Sequence, residues 1–161
     1  MKKLMLVRHA KSDWDNPDLT DFERPLNKRG EKDAPVMAER VITKRIIPQY
    51  IISSPAERAK TTANIFAKAF KLAQPEYNKN IYEAGYKILF SIVTDLSDEY
   101  DFAALFGHNP GISQLLYYLT DKLYDMPTCA VAIISFDVTS WQLVSGSTGI
   151  VEYYDYPKND D

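Results

Sequence analysis

Short apolar runs alternate with helix-period stripes from the first residues to about residue 120, and this alternation constrains the fold more than any single motif. Residues 4–7 are continuously apolar, the pattern of a strand buried on both faces of a parallel sheet. Residues 50–52, 76–82 and 102–106 also read as strands. Helical segments are expected over residues 30–45, 55–70, 86–96 and 112–119, the first marked by the stripe Ala34, Met37, Ala38, Val41 and Ile42. Strand and helix in turn predict an α/β fold: three α/β/α layers around a mostly parallel central sheet. Two more strands are expected over residues 130–138 and 150–156.

Pro35 must lie in or near the first turn of its helix or kink it, because proline lacks an N–H and crowds the preceding turn. Ser54, Pro55 and Glu57 read as an N-cap, a first helical residue and the partner of a capping box. Residues 11–27 are polar, carry Pro17 and Pro25, and read as a loop. The 161 residues, 45% hydrophobic and 25% charged, show no repeat or low-complexity stretch, which predicts one domain over residues 1–161. No apolar run approaches the ~20 residues that span a bilayer. The four apolar residues before Arg8 are too few for a secretory signal, so the expectation is a soluble, cytoplasmic protein with no membrane contact.

A single cysteine, Cys129, excludes a disulfide scaffold and, set in an apolar run, reads as a small core residue. Two histidines, His9 and His108, exclude a histidine-rich metal cluster, and no metal or cofactor is expected. The net charge of −3 hides an asymmetry: residues 1–80 hold 16 Lys and Arg against 10 Asp and Glu, and residues 81–161 hold 3 against 12. Either the two halves interleave and the difference averages out, or the first half supplies an anion site. The sequence has neither a basic run nor the aromatic–basic interleaving of a nucleic-acid groove, so a small anion is the better fit.

Ligands of open α/β sheets bind at the carboxyl ends of the strands. Arg8 and His9 follow the first strand, Arg58 lies one turn into the helix after the second, Glu83 follows the third and His108 the fourth. A guanidinium in a first helical turn is unfavourable beside the positive end of the dipole unless an anion compensates it. Helical side chains tilt toward the N-terminus, so Arg58 reaches back over Ser54, with Thr62 on the same face.

Arginine forks suit a phosphate dianion, and neighbouring cations keep an imidazole neutral and nucleophilic. His9 would then attack phosphorus, His108 would contact the equatorial oxygens, and Glu83 would protonate the leaving group. Lys11 adds a cation nearby. Ser12 and Asn109 would hydrogen-bond the phosphate or, alternatively, cap a turn.

Residues 7–12, Val-Arg-His-Ala-Lys-Ser, resemble the Arg-His signature of the histidine phosphatase (phosphoglycerate mutase-like) superfamily. Residues 53–63, from Ser53 through Arg58 to Ala63, resemble its second arginine motif, and Phe106-Gly107-His108-Asn109 its second histidine motif. The resemblance implies a phosphoglycerate mutase-like fold, a phosphorylated His9, and a phosphoryl group held by Arg8, Arg58 and His108. The first motif departs from many members in having Ala10 and Lys11 where they carry Gly and Glu.

The short chain, the segment Arg24-Pro25-Leu26-Asn27-Lys28-Arg29-Gly30 and the ending Tyr156-Pro157-Lys158 resemble the SixA-type phosphohistidine phosphatases. That branch implies a signal-transduction role, with a phosphorylated phosphotransfer domain as partner and an open site.

Three alternatives remain. The chain would be a phosphatase or mutase for small phosphomonoesters, or an inactive phosphate-recognition module, which needs arginines but no nucleophile. A two-histidine metal site is disfavoured by the adjacent arginines, which repel a cation. Tyr117, Tyr118, Tyr153, Tyr154 and Tyr156 cluster in a way that either packing or an interface explains.

Overall fold

The first apolar run becomes β1 (Lys2–Arg8), whose alternating side chains divide between two cores. Leu4 and Leu6 enter one, Met5 and Val7 the other. The computed structural model describes residues 1–159. After β1 come α1 (Lys28–Thr43), β2 (Tyr50–Ser53), α2 (Glu57–Phe70), β3 (Glu76–Tyr77) and α3 (Tyr86–Thr94). They are followed by β4 (Phe102–Gly107), α4 (Gly111–Thr120), β5 (Val131–Phe136) and β6 (Ile150–Asp155). One six-stranded sheet has the order β3-β2-β4-β1-β5-β6. Strands β1 to β4 pair in parallel, while β5 runs against both β1 and β6. The expected α/β class and mostly parallel sheet are observed. Among the described residues no helix is long and apolar enough to cross a membrane.

Helices α1 and α2 cover one face of the sheet, packing on Met5, Val7, Ala104 and Phe106. Helices α3 and α4 cover the other, on Leu4, Leu6, Ala103 and Leu105. Each buried Leu or Phe contributes about 1.5–3 kcal/mol relative to an exposed one, so the two faces together anchor the central pair β1 and β4. Cys129 is fully buried among the α1 side chains' cluster, and burial pushes its thiol well above the ordinary range. It has the core role expected of it.

The register of this central pair places the chemistry. Arg8 is opposite Gly107 in the parallel ladder, so the next residue on each strand, His9 and His108, leaves the sheet at the same level. The His9 N–H donates to the Gly107 carbonyl at 3.1 Å. Ser53 is opposite Phe106, which brings Ser54 to that level too.

Two glycines allow close approaches around this rim. A Cβ on Gly30 would lie 2.2 Å from the Lys11 carbonyl oxygen, and one on Gly111 would lie 2.0 Å from that of Ala84. The starts of α1 and α4 therefore press directly on backbone flanking the site.

Three local expectations change. Ser54 is not the N-cap: α2 begins at Glu57 with Ala56 in the cap position. The Ser54 hydroxyl instead accepts the Ala56 N–H at 3.2 Å and contacts His108, while the Glu57 carboxylate turns to Thr61. The strand expected over residues 76–82 is cut to two residues, because the Asn78 side chain accepts the Asn80 N–H and starts a 3-10 turn over Lys79–Ile81. Pro35 lies well inside α1, on its exposed side, and the first turn is capped by Asn27, which accepts the Gly30 N–H at 2.9 Å.

Candidate active site

His9 is buried immediately past the end of β1. Its Nδ1 lies 2.7 Å from the Ala10 carbonyl, an acceptor only, so Nδ1 carries the proton and Nε2 keeps its lone pair. Burial lowers the His9 pKa to about 3; the Ala10 carbonyl acts in the opposite sense, and His108, Arg58 and Arg8 lower it further. The imidazole is thus a neutral base with Nε2 unprotonated at physiological pH.

The His108 ring stands 5.2 Å from that of His9, centroid to centroid. Its Nε2 lies 2.8 Å from the Ser54 hydroxyl. Burial, then the charge of Arg58, lowers its pKa to about 4, while Asp21 opposes the shift. The Ser54 hydroxyl, which accepts the Ala56 N–H, can donate to Nε2 or accept from it; the other ring nitrogen, Nδ1, is buried and has no protein partner.

The two arginines are held by one edge each. Arg8 Nη1 donates to the Met126 carbonyl at 2.9 Å. Arg58 Nη1 donates to the Asp21 carbonyl at 2.6 Å and its Nη2 to the Asp21 carboxylate at 3.0 Å. In both, the buried Nε has no partner. Among the described residues, these two Nε atoms and His108 Nδ1 are the three buried side-chain polar atoms without a hydrogen bond. All three belong to residues that act electrostatically on His9. Buried polar groups are nearly always satisfied, so two guanidinium Nε donors without acceptors, beside an unpartnered imidazole nitrogen, mark a place for an anion.

The remaining expected residues have other placements. The Ser12 hydroxyl accepts from Arg24 Nη1 at 2.7 Å. The Asn109 Nδ2 donates to the Met126 carbonyl at 2.9 Å, and its Oδ1 accepts from the Ser113 hydroxyl and N–H at the start of α4. Asn109 thereby ties the first turn of α4, whose N-cap position is Pro110, to the Met126 backbone. The Lys11 side chain is half-buried and makes no hydrogen bond or ion pair among the described residues, although its backbone carbonyl accepts the Asn27 N–H. Glu83 is exposed at the rim, in the left-handed region with φ 59°, beside the Tyr82 hydroxyl. Thr62, buried on the Arg58 face as expected, accepts the Ala10 N–H at 3.0 Å and fixes the backbone next to His9.

Sequence reasoning missed a second tier of side chains. Asp21 accepts from Arg58, from Arg24 at 3.0 and 3.2 Å, and from the Tyr82 hydroxyl at 2.6 Å. The Tyr82 hydroxyl bond and the two guanidinium groups hold its carboxyl well below the usual range. Arg24 is buried with Trp14 stacked over its guanidinium at 3.4 Å, and Tyr82 packs edge-on against His108. The available signal was the acid and base three apart, Asp21 and Arg24, inside a segment otherwise read only as loop.

A neutral imidazole facing two guanidinium groups and a second imidazole, at the carboxyl ends of parallel strands, is a site for phosphoryl transfer. The family model of the histidine phosphatase superfamily (branch 1) matches residues 4–101, and the chain belongs to that superfamily. The match includes Arg8, His9, Arg58 and Glu83 and ends before His108. The family defines a phosphatase that works through histidine.

An uncharacterized chloroplastic protein of Arabidopsis thaliana is 29% identical over 152 residues, 88% of this chain and 69% of that protein. A crystal structure from Agrobacterium tumefaciens, described as a candidate phosphohistidine phosphatase SixA, is 26% identical with a TM-score of 0.83, covering 97% of this chain and 98% of its own. The protein histidine phosphatase SixA complexed with tungstate has the same fold, with a TM-score of 0.82 at 18% identity over 96% of this chain and 97% of its own.

Proposed function

We propose that residues 1–161 act as one phosphatase domain that removes phosphate from protein phosphohistidine through a phosphoenzyme on His9, without a metal. The observation that carries the reading is the trio of buried atoms without partners, Arg8 Nε, Arg58 Nε and His108 Nδ1, on residues that act electrostatically on His9, whose own Nε2 is unprotonated. His9 Nε2 attacks phosphorus with its lone pair as the bond from phosphorus to the substrate's imidazole nitrogen breaks, and the bonding electrons leave on that nitrogen. The arginines and His108 take up the charge spread over the three equatorial oxygens. Water then attacks the phosphorus on His9, the P–N bond breaks, and inorganic phosphate leaves with His9 Nε2 restored.

Substrate chemistry explains why the exposed Glu83 suffices at the rim. A phosphohistidine whose other ring nitrogen is protonated expels a neutral imidazole, so no buried acid is required. A phosphomonoester expels an alkoxide and needs a proton. The likeness to the Agrobacterium protein supports the phosphohistidine choice, and the open position of Glu83 is in keeping with access by a protein surface. The proposal includes a signalling role in the cytoplasm.

Reaction with a labelled phosphodonor is expected to leave an acid-labile, alkali-stable adduct that disappears in His9→Ala. An adduct that persists in that variant refutes the nucleophile. Matched assays of phosphohistidine protein against sugar and nucleotide phosphates test the substrate, and a preference for the phosphomonoesters refutes it. Activity lost to chelator and restored by metal refutes metal independence.

A further inference from the structure

The phosphoryl site does not account for the tyrosines of α4 and the segment after it. Beside that site lies a groove of about 630 Å³, walled by Tyr86, Tyr117, Tyr118 and Tyr124 and bordered by Asp121 and Asp125. Its volume falls within the range of about 300–1,000 Å³ typical of ligand pockets. No described lysine or arginine lines it; Lys122, between the lining residues Asp121 and Leu123, is exposed outside the lining. The aromatic walls are braced: Tyr118 packs against Tyr86 at 5.1 Å and Phe90 at 5.2 Å, and Tyr124 stacks on Tyr154 at 4.2 Å.

Groove and phosphoryl site share a wall. Asn109, which lines the groove, directly follows His108, and it donates to the same Met126 carbonyl that anchors Arg8. Asp125, also lining the groove, immediately precedes Met126 and exerts its charge on Arg8.

The two neighbouring surfaces have opposite chemistry. One presents guanidinium and imidazole donors to an anion. The other presents tyrosine faces and two carboxylates, which repel phosphate and attract a cation on an apolar stem. Lysine and arginine side chains have that form, and arginine also stacks on aromatic rings. We propose that this groove receives a lysine- or arginine-bearing segment of the phosphorylated protein, next in sequence or in space to its phosphohistidine. The proposal rests on the phosphohistidine reading above and adds to it: the substrate is bipolar, an anionic phosphoryl group beside a basic flank, and the flank selects which phosphohistidines are cleaved.

The test uses histidine-phosphorylated peptides matched except for Lys and Arg, Ala, or Glu at the flanking positions, with phosphoimidazole as a peptide-free control. Wild-type kcat/KM is expected to be about tenfold higher for the basic than for the acidic peptide at low salt, carried by KM, with the gap shrinking as salt rises. Asp121→Asn keeps a residue that tolerates the left-handed backbone there, φ 61°, and an oxygen for the Ser147 hydroxyl. Tyr117→Ala removes a half-exposed ring.

Each variant is expected to lower kcat/KM for the basic peptide about threefold through KM. Both should leave phosphoimidazole turnover unchanged, which also reports that the variant is folded. Equal rates on all three peptides, or a basic preference intact in the double variant, overturn the groove while phosphoimidazole turnover keeps the phosphohistidine reading. Loss of every phosphohistidine substrate in favour of phosphomonoesters overturns both.

Discussion

The two ends of the sheet each bury a cation, and they treat it differently. At the amino end Lys2 is 1% exposed, and its ammonium donates to the carbonyls of Asp98 and Tyr100 and to the Asp101 carboxylate, each at 3.0 Å. An ammonium has three N–H donors, and all three are used. At the carboxyl end Arg8 and Arg58 are anchored through Nη atoms while each buried Nε is left without a partner, as is Nδ1 of His108. A saturated cation binds the fold together. An unsaturated one is held in position at a cost in stability, and an arriving anion removes that cost.

The difference is broken most severely at His9. His9→Ala is expected to lower turnover by about four orders of magnitude or more, since no other group replaces the proposed nucleophile, while leaving thermal stability unchanged or raised. Arg58→Ala should cost about 10²–10³ in kcat/KM, the usual scale for one donor to a developing charge. Its melting temperature should fall little, because Arg8 is relieved of a like charge. Lys2→Ala should do the reverse, leaving kcat unchanged and costing about 2 kcal/mol or more in urea unfolding. If Lys2→Ala lost activity without losing stability, the distinction between the two ends would fail.

Acid should sharpen the same contrast. Both histidines are buried neutral, with pKa lowered from the ordinary 6.5 to about 3 for His9 and about 4 for His108. Above pH 6.5 folded and unfolded chains are alike at these groups, and their full contribution is present. As pH falls from 6.5 toward 4 and 3, the unfolded chain binds protons that the native site refuses, so stability declines by on the order of a few kcal/mol. Asp21, held below its ordinary value, adds loss in the same direction below about pH 4. Saturating vanadate or phosphate supplies the missing negative charge, should raise both histidine values, and should flatten the slope. Histidine titration by NMR with and without vanadate checks this; values near 6.5 in the free protein would contradict it.

Much of the contrast was legible in sequence. Parallel strands in both-face burial read directly from residues 4–7 and 102–106, and a site at their ends follows from that architecture, so Arg8, His9 and His108 were all locatable. Legibility failed where one polar side chain had two suitors. Ser54 satisfies every rule for an N-cap, yet the β2–β4 register brings it beside His108, and a buried imidazole outcompetes a helix end that can begin two residues later. Asn78 likewise chose a turn over a strand. Asp21 and Arg24 stayed hidden because their value depends on where the loop of residues 11–27 lands, and neither periodicity nor propensity reports that. The saturated Lys2 gave no signal at all beside Lys3.

Asp21 tests whether the unsaturated end is also a tuned one. Its carboxylate grips Arg58 Nη2, its carbonyl grips Nη1, and Nε is left for the ligand. Asp21→Asn keeps the carbonyl contact and a side-chain oxygen but loses the charge that links Arg58, Arg24 and Tyr82. Loss of a group that orients a binding arginine should raise KM, and weaken inhibition by vanadate, by about tenfold with a smaller change in kcat, as loss of one charge-assisted bond implies. The carboxylate also supports the protonated form of His108, so its loss should move the His108 titration further below 4. A plug that merely competes with substrate predicts the opposite, tighter vanadate binding in the variant. Ser12→Ala, which removes one contact from the more distant Arg24, should show the same pattern at only a few-fold, and a larger effect there than at Asp21 would mean that Arg24 itself meets the phosphate.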